Sequence, residues 1–408
     1  MALGHASSSF VPSEVEGRLH GLGGAPFDVA PDEREPEACT SLALYIHWPF
    51  CVSKCPYCDF NSHVRESVDQ AAWRDALLAD LAWEARAFPR GPLTSIFFGG
   101  GTPSLMAPST VAALIEAAER HWGFVPEIEI TLEANPSSVE AARFADLAEA
   151  GVNRVSLGLQ SLDDAALRFL GRAHDVAEGL GALETAQRAF RRVSFDLIYA
   201  LPDQSEQAWA QELERALAFG TEHLSLYQLT IEPGTRFAAL AAKGELTPRD
   251  PDEAASLYEL TQALAEAAGL PAYEISNHAR PGSESRHNLT YWRYRPYLGV
   301  GPGAHGRRGD TATLRHRKPE NWLSALARNG HGLQEETAVA PADAAAEALL
   351  MGLRLREGVK LENVESALDW EAVRRLAAQG LLTKSADRLL VLPDGVLVLD
   401  AILAEISA

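Results

Sequence analysis

Six short runs rich in β-branched and aromatic residues recur along the first 230 positions, at 42–47, 95–98, 127–133, 154–160, 194–199 and 223–230. Between them lie stretches rich in Ala, Leu and Glu whose apolar residues return every three or four positions, at 71–88, 109–122, 138–150, 176–190 and 206–219. Alternation marks a strand and a period near 3.6 a helix. Strand and helix in turn predict repeated βαβ units around a parallel sheet. Spacing alone fits a doubly wound sheet and an incomplete barrel equally. A further helix is predicted at 252–268, and then the pattern dissolves. Residues 276–318 are rich in Gly, Pro, Arg and aromatics and poor in helical period. The tail predicts helices at 342–354 and 371–379, then strands at 389–392 and 396–399 around a Pro393-Asp394-Gly395 turn. Helices followed by a hairpin suggest a small winged-helix-like domain. Residues 1–38 carry Gly, Pro, Ser and Glu without period and read as a disordered extension.

Composition narrows the function classes. The chain has 408 residues, enough for a large domain and a smaller one, and 47% of them are hydrophobic. No run of about 18 apolar residues occurs, so a membrane span is not expected. The first twenty residues lack a basic start and an apolar run, so they do not read as a signal peptide. A formal net charge of -20 argues against general affinity for nucleic acid or anionic membranes.

Four cysteines are present, and three of them, Cys51, Cys55 and Cys58, fall within eight residues. Such crowding is a poor disulfide framework and a good metal site, and it points to a reducing, cytoplasmic setting. The spacing is C-x3-C-x2-C, immediately after the first predicted strand. Three thiolates on one loop suit three corners of an iron-sulfur cubane and leave the fourth iron open. Zinc is the rival, with His47 or His63 as a fourth ligand. Gly99-Gly100-Gly101-Thr102 follows the second strand, where glycines bring backbone N–H groups close to a ligand. Polar residues recur at the ends of later strands, namely Glu133, Gln160, Asp196 and Gln228, and the carboxyl end of a barrel strand is where ligands are met. Taken singly, each of these also reads as a turn or a cap.

C-x3-C-x2-C after a first strand, with the aromatic Tyr57 between the second and third cysteines, resembles the radical S-adenosylmethionine (SAM) superfamily. That resemblance implies an α/β fold, a partial (β/α)6 barrel carrying a 4Fe-4S cluster and SAM. It implies that Cys51, Cys55 and Cys58 bind the cluster. It further implies that Tyr57, Gly100, Gly101, Thr102, Glu133, Gln160, Arg172 and Asp196 lie at the SAM site. The chain then divides into a core barrel at 39–275, a connecting segment at 276–335 and a C-terminal domain at 336–408.

Tyr45-Ile-His47, Gly99-Gly-Gly-Thr-Pro103, Leu298-Gly-Val-Gly-Pro-Gly-Ala-His305 and Leu350-Met-Gly-Leu-Arg354 resemble the branch that holds oxygen-independent coproporphyrinogen III oxidases and HemW haem chaperones; Tyr45 joins the cofactor site on this ground. The oxidases carry a cysteine where this sequence has Phe60. His287-Asn288-Leu-Thr-Tyr291-Trp292 resembles the H-N-x-x-Y-W motif of the chaperones, associated with haem. The resemblance therefore implies a chaperone that binds haem and passes it to an acceptor haemoprotein. Peripheral contact with a membrane haemoprotein is compatible with it. The alternative is coproporphyrinogen III oxidase activity. His287 is the candidate axial ligand, with Cys39 as an alternative thiolate.

Between 280 and 318 stand nine basic residues against two acidic ones. They suit an anionic ligand such as haem propionates, or ion pairs with acidic barrel helices.

Overall fold

The computed structural model describes residues 41–385 and 387–408. The proposed extension at 1–38 and Cys39 lie outside the described residues. Six strands run parallel in chain order: β1 (Leu42–Trp48), β2 (Leu93–Gly100), β3 (Phe124–Ala134), β4 (Arg154–Gln160), β5 (Arg192–Tyr199) and β6 (His223–Gln228). Connecting helices include α1 (Gln70–Ala87), α2 (Pro108–Trp122), α3 (Val176–Ala189), α4 (Glu206–Leu217) and α5 (Pro251–Ala267). Several begin on a side-chain cap: Asp69, Asp175, Ser205 and Asp250 each accept an otherwise unpaired N–H of the first turn. This is the partial barrel expected from the resemblance.

Each strand puts apolar residues on one face and polar ones on the other. Leu44, Ile46, Ile96, Phe98, Leu132, Val155, Leu157, Phe195 and Leu224 join the core under the helices. The opposite face is polar and cross-linked. Arg154 donates to Thr131 Oγ1 (3.3 Å) and Ser194 Oγ (2.9 Å), Ser194 donates to Ser156 (3.0 Å), and Ser156 donates to Asp196 (3.3 Å). A barrel interior of this kind is built to receive a polar ligand rather than to pack shut.

The irregular segment and the residues just beyond it add both edges of the sheet, which the hydrophobic pattern does not reveal. β7 (Asn277–Ala279) pairs antiparallel with β6. The chain then crosses the barrel as α6 (Arg286–Trp292). Next, β8 (Tyr297–Val300) pairs parallel with β1, Ala43 opposite Tyr297. Antiparallel β9 (His305–Arg308), β10 (Thr311–Arg315) and β11 (Leu333–Ala338) follow, with α7 (Pro319–Asn329) between the last two. The result is one eleven-stranded sheet.

Two expected elements differ. The helix expected at 138–150 is two short helices, Ser138–Ala141 and Phe144–Glu149. Arg143 at the break reaches back to the carbonyls of Ser104 (3.0 Å) and Met106, while the buried Glu140 carboxylate accepts from Ser104 Oγ and Asn135 N (2.8 Å). These tertiary bonds outweigh one more helical turn. The tail hairpin forms one strand earlier than expected. β12 (Leu382–Ser385) pairs with β13 (Arg388–Val391), and Pro393-Asp394-Gly395-Val396 is a helical turn leading into Leu399–Ile406. Pro393 sits at a first helical position, where it is at home. Leu399, Ile402, Leu403 and Ile406 then complete a separate apolar core with Leu349, Leu376 and Leu389.

Candidate cluster and cofactor site

The cysteines lie on the loop that leaves β1 at the carboxyl end of the barrel. Phe50–Cys51 pairs in parallel with His63–Val64, which closes the loop. Cys51 is buried, and Cys55 and Cys58 are partly exposed. Each is tied to a different neighbour. Thr102 Oγ1 donates to Cys51 Sγ at 3.5 Å, and Arg172 Nη1 donates to Cys55 Sγ at 3.3 Å. Burial raises the Cys51 and Cys58 thiols above their ordinary range, opposed at Cys51 by Thr102 and at Cys58 by the Phe60 backbone. The Ser62 hydroxyl, buried and without another partner, lies beside both.

Around the loop the expected residues converge. Arg172 Nη2 donates to Asn135 Oδ1 (2.7 Å) and to the Gly158 carbonyl (2.9 Å), and Asn135 Nδ2 donates to Thr102 Oγ1 (3.2 Å). One guanidinium thus joins the cysteine loop to the ends of β3 and β4. Tyr57 is partly buried beside Arg172 and Phe237, and its hydroxyl pKa is raised by desolvation. Gly100 N donates to Glu133 Oε2 (3.2 Å). A side chain at Gly100 would meet the His47 ring at 2.5 Å, and its φ is +116°. A side chain at Gly101 would meet the Phe50 carbonyl at 2.6 Å. Glycine is required at both. Gln160 ends β4 with a φ of 70°, an uncommon conformation for a side-chain-bearing residue and one concentrated at functional sites.

Glu133 and Asp196 face the interior from neighbouring parts of the barrel. Burial, then the nearby Asp196, raises Glu133 to about 8. Burial raises Asp196 to about 6 against the Ser225 and Ser156 hydroxyls. Two carboxyls with raised pKa values in a polar interior can each donate as well as accept a hydrogen bond near neutral pH.

Tyr45 donates its hydroxyl to His47 Nδ1 (2.9 Å), because His47 Nε2–H donates to the Asn61 carbonyl (2.9 Å). Burial first of all lowers His47 to about 4, so the ring is neutral. With both nitrogens engaged, His47 is not a metal ligand here. Among the described residues no three His, Cys, Asp or Glu side chains are gathered for a single metal ion.

His287 stands away from the cysteine loop but beside Tyr45. It lies on α6, 2% exposed, against the amino-terminal half of β2, with its ring centroid 6.2 Å from that of Tyr45. Its Nδ1 contacts Ser95 Oγ (3.1 Å), its Nε2 contacts the Tyr291 hydroxyl (2.8 Å), and its ring stacks on Phe97 at 4.8 Å. Burial first lowers its pKa to about 3. Glu129 fastens α6 by accepting from the His287 N–H (3.3 Å) and from Arg192 (2.6 Å). The other motif residues, Asn288, Tyr291 and Trp292, line a cavity of about 310 Å³ together with Tyr227, Asn277 and Arg354. The cavity is set between β6, β7 and α6, and Arg354 lies 5.6 Å over the Trp292 ring.

Much of the basic segment is consumed by ion pairs. Arg315 bonds Asp80 (2.6 Å) and Glu84 (2.6 Å), Arg308 bonds Glu84 (2.6 Å), and Arg293 bonds Glu357 (2.9 Å). The reading of ion pairs with acidic barrel helices holds for Arg315 and Arg308, whose partners stand on α1, whereas Arg293 reaches Glu357 beyond the barrel. Asn135, bonded to Arg172 and Thr102, enters the sequence only within Glu133-Ala-Asn135-Pro136, one of the segments that resemble the family's SAM-site strands. An asparagine after a strand has no signature of its own, and its position two residues beyond Glu133 is the one available signal.

Residues 45–216 match the radical SAM superfamily, and residues 339–398 match the HemN C-terminal domain. The mouse protein named radical S-adenosyl methionine domain-containing protein 1, mitochondrial, is 41% identical over 90% of this chain and 87% of its own length. The heme chaperone HemW of Escherichia coli (strain K12) is 37% identical over 89% of this chain and 97% of its own. This chain belongs to the HemW family of radical SAM proteins. A solved structure of coproporphyrinogen III oxidase (HemN) from Escherichia coli superposes with a TM-score of 0.75, covering 90% of each chain at 22% identity, which shows the shared fold. The HemW family's radical SAM core implies a 4Fe-4S cluster and SAM. The residues fit: three thiols on one loop, each near a separate donor, with Glu133, Asp196, Gln160 and the glycine turn ranged around them.

Proposed function

We propose that the chain is a haem chaperone that binds haem and transfers it to an acceptor haemoprotein, carrying a 4Fe-4S cluster and SAM. The observation that carries this reading is the pairing of the three-thiol loop with a cavity walled by Asn288, Tyr291 and Trp292. The curated HemW relatives support it, as does Phe60 at the position of the oxidases' further cysteine. A cytoplasmic setting follows from thiols that must stay reduced, and no helix among the described residues is long and apolar enough to cross a membrane.

Cys51, Cys55 and Cys58 would hold three irons, and the bound cluster supplies the electron for SAM chemistry. Arg172 steadies Cys55 and spans to Asn135. Tyr45, Tyr57, Gly100, Gly101, Thr102, Glu133, Gln160 and Asp196 would bind SAM, the glycines by letting it approach the backbone closely and the acids through its hydroxyls and amines.

At about 310 Å³ the cavity is at the small end of ligand pockets, which run from about 300 to 1,000 Å³, so it suits one edge of a macrocycle. Trp292 and Tyr291 offer aromatic faces. Ligation by His287 requires α6 to turn and release Ser95 and Tyr291.

The test is a haemin titration of the anaerobically reconstituted protein, followed by incubation with coproporphyrinogen III, SAM and reductant. A saturable Soret shift without vinyl product supports the chaperone. Protoporphyrinogen product overturns it in favour of the oxidase.

A further inference from the structure

The cysteine loop is held by few external contacts, and they are unevenly spread. The Cys51 limb is paired in the Phe50–Cys51 ribbon. The Cys55 limb has Arg172 on its sulfur, and the neighbouring Pro56 carbonyl accepts from Phe237 N at 3.0 Å. Near Cys58 the backbone bonds stay within the loop: Cys58 N to the Cys55 carbonyl (3.2 Å) and Ser62 N to the Phe60 carbonyl (2.7 Å). The next outside contact is Asn61.

Asn61 uses every face. Its Nδ2 donates to the Pro302 carbonyl at 2.9 Å and to the Arg317 carbonyl at 3.0 Å, and its own carbonyl accepts from His47. The side chain occupies a socket over Gly303, where an added Cβ would stand 2.4 Å from Nδ2. The turn that forms the socket is itself pinned from below. Gly301, with a φ of +96°, passes so close to the His47 carbonyl that a Cβ would sit 2.4 Å from it. The Gly301 N–H donates to Asp80 Oδ2 at 3.0 Å. The same carboxylate accepts from Gly332 N (3.0 Å) and Arg315 Nε (2.6 Å), and Asp80 and Arg315 are wholly buried. A buried carboxylate with this many donors is a rigid footing.

We infer that Asn61 is a positioning residue that fastens the Cys58 limb of the cysteine loop to the turn at 301–304, so that the cluster ligands and the connecting segment move as one unit. The inference rests on the reading of the three cysteines as cluster ligands. Asn61 donates two hydrogen bonds to carbonyls of the connecting segment, so its effect is mechanical. It fixes the third thiol relative to the other two before any iron arrives. It also makes the segment that carries the H-N-x-x-Y-W helix answerable to the state of the cluster loop.

The experiment uses the full chain in two forms, cluster-free and reconstituted, with Asn61→Ala and the isosteric Asn61→Asp. The control is Arg65→Ala, which cuts a second, exposed tie between the same segments, the Arg65–Glu320 pair. In the cluster-free form, maleimide labelling of each cysteine is followed by peptide mass spectrometry. In both Asn61 variants Cys58 should label about fivefold faster, as loss of roughly one hydrogen bond of local stability gives, while Cys51 stays at the wild-type rate. Reconstituted variants should hold roughly half the wild-type iron or less and show a shifted midpoint potential by EPR titration. Arg65→Ala should match wild type throughout. Unchanged Cys58 labelling in both Asn61 variants overturns the inference, as does equal acceleration at all three cysteines. Circular dichroism and the unfolding midpoint establish that the variants are folded, and Asn61→Asp keeps the packing if Asn61→Ala does not. Should wild-type protein fail to take up iron at all, the cluster reading fails, while the labelling contrast still decides the role of Asn61.

Discussion

The cysteine loop and the α6 helix are both short, motif-bearing segments seated on one barrel, and their polar groups are in opposite conditions. In the loop, two thiols are partly exposed, Phe60 and Val52 stand open at 59% and 71%, and the Ser62 hydroxyl is buried without a partner. On α6, His287 is buried with both ring nitrogens bonded and its face stacked. The loop has bonding capacity left for an outside group. His287 has spent its own on the fold, and what α6 presents to the cavity is the faces of Tyr291 and Trp292. A motif therefore mixes residues that build a site with residues that meet the ligand, and the hydrogen-bond inventory separates them.

The contrast is sharpest at the cysteines. Cys58→Ala should reduce iron after reconstitution to background while leaving the unfolding midpoint of the cluster-free protein within about 3 °C of wild type, measured by iron assay and calorimetry. If that substitution also unfolds the chain, the loop is as structural as α6 and the distinction is lost.

On the other side, His287→Ala should cost about 2–4 kcal/mol of stability in urea unfolding, because it empties a packed site and strands two partners. The sign of its pH dependence follows from the lowered pKa. The neutral ring's contribution is fully present above the ordinary histidine pKa and is lost as pH falls toward about 3. Haemin affinity should fall more for Trp292→Ala than for His287→Phe, and the reverse order by Soret titration would restore His287 as the ligand.

A smaller effect separates Glu133 from the rest of the interior. Its raised pKa means that stability present below the ordinary carboxylate pKa is lost as pH rises to about 8. In cluster-free protein, Glu133→Gln should flatten the decline in unfolding midpoint between pH 5 and pH 8. An unchanged slope would mean that the carboxyl is solvated. Smallest of all, Arg375→Ala breaks an exposed pair with Glu405 far from both motifs and should leave the urea unfolding midpoint at the wild-type value.

The six barrel strands and most of their helices were legible because each repeats a local period, and local period is what a sequence displays. β8 to β11 were not. They are four to six residues long, include glycines and arginines, and are anchored as a group through β8 on β1, which lies far away in sequence. The basic segment admitted two readings for the same reason: Arg308 and Arg315 find Glu84 more than 220 residues earlier. Within the site, thiol spacing is a local signal and was read directly. Asn135 and Asn61 act through amides whose partners exist only once the barrel has closed.

The pairing of Ala43 with Tyr297 also has a consequence for how the chain is made. Roughly 250 residues separate the two, and at about 5–20 residues per second a ribosome needs on the order of 10–50 s to deliver the second after the first. Throughout that interval the outer edge of β1 is an unsatisfied row of amides and carbonyls, just upstream of three reactive thiols. Nascent chains stalled before residue 297 should therefore be the species most prone to aggregate or cross-link, and release just beyond residue 338 should end that vulnerability.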